Sequence, residues 1–107
     1  MTYIRVSTMT PLAGREQEAA QVNQELVDFY RGQRGCRGSH FVKAADSSGE
    51  QGRISFWVSE RAADEAATQE HSLYLRSRLH LLISRGHQDR SFVDVASASE
   101  AREPAPA

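Results

Sequence analysis

The hydrophobic period of this chain changes from two to about 3.6 and back, twice over, and that order leaves few folds open. The first run, "TYIRVSTM", alternates: Ile4, Val6 and Thr8 share one face, Tyr3, Arg5, Ser7 and Met9 the other, and Pro11 ends it. From Arg15 to Arg31 the spacing becomes helical. Ala19, Val22, Leu26, Phe29 and Tyr30 form an apolar stripe opposite Gln21, Gln24, Glu25, Asp28 and Arg31. The glycines of "GQRGCRG" break this helix. "SHFVKAA" and "RISFWVS" then read as strands joined by the turn-forming "DSSGEQG". Ser59 is placed to cap the helical "ERAADEAATQ", which "EHSLYLRSRLHLLISRG" continues or restarts until Gly86 stops it. "DRSFVDV" supplies a last strand. The order βαββαβ predicts an α+β, ferredoxin-like domain: a four-stranded antiparallel sheet with its helices on one face.

With 107 residues there is room for one core, expected over residues 1–95. Residues 96–107, "ASASEAREPAPA", are small, polar and proline-bearing, and are expected to form a flexible tail. Thirteen basic and fourteen acidic residues leave a net charge of -1, which gives no reason to expect a nucleic-acid or anionic-membrane partner. No apolar run is long enough to span a bilayer, and the first residues lack the basic-then-apolar pattern of a signal peptide. Cys36, the single cysteine, cannot form an internal disulfide, so a reducing cytoplasm is the expected location.

Period two divides each strand into two faces, and hydropathy suggests which face is which. Ile4, Val6, Ile54, Phe56 and Val58 are expected to point at the helices. Arg5, Ser7, Met9, Arg53, Ser55 and Trp57 then fall on the open face. A tryptophan buries about 150–250 Å² when covered, so that face needs a ligand or a second sheet. A homodimer stacked sheet on sheet supplies both a cover and an enclosed cavity. Arginines on an enclosed face need a carboxylate or an anionic ligand, and Asp94 and Glu60 are the expected intrachain partners.

Histidines invite a metal, but the spacing argues against one. Helix residues turn by about 100° each, so His71 and His80 point to opposite sides, and neither has an Asp, Glu, His or Cys four residues on. No HExxH and no paired CxxC is present, so no metal site is expected. Leu75, Leu79, Leu82 and Ile83 form the stripe of the last helix, with His71 at its edge and His80 outside it. His71 is thus the imidazole to weigh as a half-buried base, against a purely structural role. Cys36 has Arg34 and Arg37 beside it but no histidine fixed as a partner. The GxSxG, GxGxxG and P-loop patterns are absent.

Three stretches carry a family resemblance: "PLAGREQE" before the first helix, "GCRGSHFV" entering the second strand, and "FWVSERAADEAATQEHS" after the hairpin. In this order and spacing they resemble the antibiotic biosynthesis monooxygenase (ABM) domain family of dimeric α+β barrels, over Tyr3 to about Val95. There a strand Trp followed by Ser-Glu opens the second helical region and a His closes its first turns. The matching positions are Trp57, Ser59, Glu60 and His71. The resemblance implies a homodimer joined through the open sheet faces, with a pocket between each sheet and its helices. Some members oxidise aromatic polyketides or quinols with O₂ and no metal, flavin or other cofactor, the substrate giving the electrons after losing a phenolic proton. On that model His71 accepts the proton, Arg5 or Arg76 stabilises the oxyanion and Ser7 donates a hydrogen bond. Trp57 walls a small aromatic molecule, with Arg53, Arg76, Ser55 and Met9 beside it. A related haem-degrading branch uses a first-strand Asn, a helical Trp and a helical His. Ser7 stands near the Asn position and "RAADEAATQ" holds no second Trp, so the cofactor-free reaction fits better. The alternatives are a non-catalytic small-molecule-binding or stress-associated dimer, and a purely structural dimerisation module.

Overall fold

The computed structural model describes residues 1–84 and 86–95. The elements follow the predicted order: β1 (Tyr3–Met9), α1 (Glu16–Arg31), β2 (Cys36–Lys43), β3 (Gln51–Trp57), α2 (Glu60–Ala67), α3 (Glu70–His80) and β4 (Gln88–Val93). The strands form one antiparallel sheet in the order β2-β3-β1-β4, as a ferredoxin-like plan requires. The expected tail, 96–107, lies outside the described residues.

Local chemistry accounts for the element ends. Ser59 Oγ accepts from the Ala62 amide at 3.1 Å, capping α2. The Arg76 guanidinium reaches back from α3 and donates to the Ala67 carbonyl at 2.8 Å, satisfying the C-terminal end of α2. The last helix ends at His80 and does not run on to Gly86, as the sequence suggested. Beyond it the backbone pairs with the β1–α1 connection: the Leu12 amide donates to the Leu82 carbonyl and the Ser84 amide to the Thr10 carbonyl, each at 2.8 Å. This turn keeps Leu82 and Ile83 buried in the core without further helix.

The sheet is turned over relative to the hydropathy expectation. Met9, Gln51, Arg53, Ser55 and Trp57 are buried, and Met9 and Trp57 belong to one core with Ala19, Val22 and Leu26 of α1. Ile4, Val6, Ile54 and Phe56 lie on the opposite, helix-free face and keep part of their surface exposed, and Val58, past the strand end, is 45% exposed. The alternation was read correctly and its sign was not. The polar residues tolerate burial because they bond to one another. Asn23 of α1, fully buried in the helix stripe, donates to Gln51 Oε1 at 3.0 Å and accepts from Arg53 Nη1 at 2.6 Å. Trp57 Nε1 donates to Ser55 Oγ at 2.8 Å. On β2 a bulge between Cys36 and Gly38 shifts the register, so that Cys36 lies opposite Trp57 while Ser39, an odd number of residues on, lies opposite Ser55.

Candidate functional site

A cavity of about 240 Å³ lies between the sheet and the α2–α3 region. Its floor is the buried polar face: Arg5 and Ser7 of β1, Arg53, Ser55 and Trp57 of β3, and Ser39 of β2. Tyr30 of α1, Ala63 and Ala67 of α2 and Arg76 of α3 close it from the helix side, and Asp89 and Ser91 of β4 form its rim. The alanines leave the room: their methyl side chains reach only a short way from α2 towards the sheet and leave the space unfilled. Six residues expected to form the site are therefore brought together: Arg5, Ser7, Arg53, Ser55, Trp57 and Arg76.

Two are not. Met9 packs in the core, where its sulfur accepts from Asn23 Nδ2 at 3.4 Å, and it does not line the cavity. His71, the expected base, is exposed in the first turn of α3, its ring 5.1 Å from that of Phe29. It is exposed where a half-buried position at the stripe edge was expected, and it does not line the cavity. The partners of Arg5 and Arg53 are also not the expected Asp94 and Glu60. Arg5 pairs with Asp64 of α2 at 2.5 Å, and Arg53 bonds to the neutral Asn23.

The electrostatics are one-sided. Among the cavity-lining side chains that face the helices, Arg5, Arg53 and Arg76 carry positive charge and Asp89 negative. Burial opposes the charge on Arg5, but its hydrogen bonds to Tyr3 and Asp64 outweigh that and raise its pKa. Arg53 goes the other way. Burial lowers its pKa, the like charge of Arg76 adds to the effect, and Tyr30 and Asp89 offset it only in part. Asp89 sits at the rim, where Ser7 Oγ donates to its Oδ1 at 2.6 Å. Tyr30 and Ser72 share a buried hydroxyl–hydroxyl bond of 2.6 Å behind the cavity wall.

The residues that sequence reasoning missed are Tyr30, Ser39, Asn23 and Asp89. Asn23 had a signal: it stands four after Ala19 and three before Leu26, inside the apolar stripe. Ser39 and Asp89 had none, because their places depend on the β2 bulge and on the pairing of Asp89 with Ser7. Among the described residues no group of three or more His, Cys, Asp and Glu side chains is placed to hold a metal ion, and no helix is long and apolar enough to cross a membrane.

No protein-family model matches the sequence, and no curated protein matches it. Solved structures do match the fold. Rv0793 from Mycobacterium tuberculosis superposes with a TM-score of 0.81 at 19% identity, over 89% of this chain and 96% of that one. SnoaB from Streptomyces nogalater, a cofactor-independent oxygenase, gives 0.78 at 19% identity, over 88% and 93%. A protein described as an antibiotic biosynthesis monooxygenase gives 0.78 at 16% identity, over 89% and 99%. This is the ABM-type fold. At these identities the likeness concerns architecture, and the chemistry of the cavity has to be argued from its own residues.

Proposed function

We propose that the protein is a cofactor-independent monooxygenase of the ABM type, cytoplasmic and homodimeric, acting on a small aromatic or quinol-like substrate. The observation that carries this reading is the cavity itself: an indole wall, the guanidiniums of Arg5, Arg53 and Arg76, and several hydroxyls on the fold shared with a cofactor-independent oxygenase. In the reaction a phenol with a reactive ring C–H gives up its phenolic proton, and the phenolate passes electrons to O₂. One oxygen atom is retained on carbon as the new carbonyl, and the other leaves as water with the two remaining hydrogens. The arginines favour the phenolate over the phenol, which is the electrostatic share of the catalysis. With His71 outside the cavity, the Ser7–Asp89 pair takes over the proton: Ser7 Oγ relays it to Asp89, and the rim position returns it to solvent.

Oxygen uptake with a panel of hydroquinones and anthrones tests the reading. Turnover is expected, with Asp89→Asn and Ser7→Ala each lowering kcat about 100-fold, the lower end of what positioned proton transfer contributes. The rival, a non-catalytic small-molecule-binding dimer, gains from the exposed position of His71. It is favoured if no substrate consumes O₂ while aromatic ligands still quench the Trp57 fluorescence.

The homodimer has separate support. Ile4, Val6, Ile54 and Phe56 make an apolar surface on the helix-free face, and β4 is exposed along its whole length, with Phe92 40% and Val93 50% accessible. A second copy of the same face is the self-complementary cover that a two-fold interface needs. Phe56→Glu is expected to convert a dimer into a monomer in sedimentation velocity at micromolar concentration, with the fold retained by circular dichroism. Wild-type protein sedimenting as a monomer would remove the dimer from the proposal.

A further inference from the structure

The cavity holds more unsatisfied positive charge and more unpaired donors than a neutral phenol can use. We propose that its substrate is a small hydroxylated aromatic acid, and that Arg53, Arg76 and Ser39 hold the ionised carboxylate while Trp57 covers the ring. This rests on the monooxygenase reading for what happens to the ring, but the recognition stands on its own observations.

Arg53 is 9% exposed, and its hydrogen-bond partner is the neutral amide oxygen of Asn23. Among the described residues neither Arg53 nor Arg76 is within ion-pair distance of a carboxylate, although Arg5 and four arginines away from the cavity are. A buried guanidinium without a counter-charge is costly, and an anion arriving from solution removes that cost. Arg76 Nε and Ser39 Oγ are both buried without a hydrogen-bond partner. The two residues that carry them line the same cavity. An orphaned polar atom costs about 1–3 kcal/mol, and two of them on residues that line one cavity ask for an occupant that supplies acceptors. Arg76 Nε–H can only donate, and a serine hydroxyl can donate, so two carboxylate oxygens satisfy both.

The remaining charges do not fill this role. Asp64 is engaged with Arg5 across the β1–α2 gap. Asp89 lies at the rim, where it accepts from Ser7 and stands 3.6 Å from His87 Nε2. Trp57 Nε1 is already bonded to Ser55, so the indole offers the ligand a flat wall and no donor. Size narrows the class further. About 240 Å³ is below the roughly 300–1,000 Å³ usual for drug-sized ligands, which suits one ring or two fused rings and not a larger polycycle.

The test compares three probes by quenching of Trp57 fluorescence on the full chain: 2,5-dihydroxybenzoate, its methyl ester and hydroquinone. The acid is expected to bind at least about tenfold more tightly than the other two, as a charge-assisted contact does against a neutral one. Arg76→Met and, separately, Ser39→Ala are expected to weaken the acid towards the ester, by a larger factor than either change weakens the ester or hydroquinone. Equal binding of acid and ester by the wild-type protein overturns the proposal, as does an equal loss for all three probes in both variants or quenching by none of them. Oxygen uptake measured on the same samples separates this from the functional reading. Selective binding of the acid without O₂ consumption keeps the carboxylate site and sinks the monooxygenase, whereas turnover of hydroquinone as readily as of the acid does the reverse.

Discussion

Trp57→Ala is expected to lower the stability of the fold by about 3–5 kcal/mol, the range for truncating a buried aromatic. Against a total stability of about 5–15 kcal/mol this brings the protein close to unfolding at ambient temperature. The loss has three sources. Trp57 is 2% exposed and is the largest fully buried side chain, so its removal opens a void in the core. Its ring meets Tyr30 edge-on at 5.9 Å, a contact worth about 0.5–1.5 kcal/mol beyond area. Its indole N–H also leaves Ser55 Oγ without the donor it accepts from. Because Trp57 is the sole tryptophan, the measurement is urea unfolding followed by circular dichroism. The variant also discriminates between the two ways of orienting the sheet. With Trp57 on the open face, its loss would weaken dimerisation and spare the monomer fold. With Trp57 under the helices, stability falls and the sedimentation coefficient of the folded fraction is unchanged.

That orientation is where sequence reading reached its limit. Strand positions, the helix stripes and their order were legible because hydrophobic period reports secondary structure directly. The faces were legible as a partition, with Trp57, Ser55 and Arg53 together, but not as a direction. The rule that apolar residues face the helices fails here because the helix-facing layer is a hydrogen-bonded network around a cavity. Asn23, Gln51, Arg53 and Ser55 are individually unattractive for burial and collectively satisfied. The apolar Ile54 and Phe56 are thereby released to the other face. His71 lies outside the cavity for a different reason: it stands exposed in the first turn of α3, and the sequence does not say where α3 begins relative to the cavity.

Asn23 is the residue on which that network turns, and Asn23→Leu is expected to cost about 3 kcal/mol although leucine has similar bulk and suits a helix stripe better. The side chain uses both ends of its amide: Nδ2 faces Gln51 and Met9, and Oδ1 accepts from Arg53. Leucine leaves the Arg53 guanidinium with its burial unchanged and its bond at 2.6 Å removed. Removing one partner of a buried charged group costs more than the bond itself was worth, because the charge stays behind in a low dielectric. Removing the charge as well should therefore restore stability. In the double variant Asn23→Leu with Arg53→Met, unfolding by urea is expected to show a favourable coupling of at least about 1 kcal/mol relative to the sum of the single variants. Additivity within about 0.5 kcal/mol would mean that Arg53 draws its support from elsewhere. The same pair bears on the cavity. If Asn23 holds Arg53 in place for a ligand, Asn23→Leu will weaken binding of 2,5-dihydroxybenzoate in protein that is still folded, and the methyl ester will bind as before.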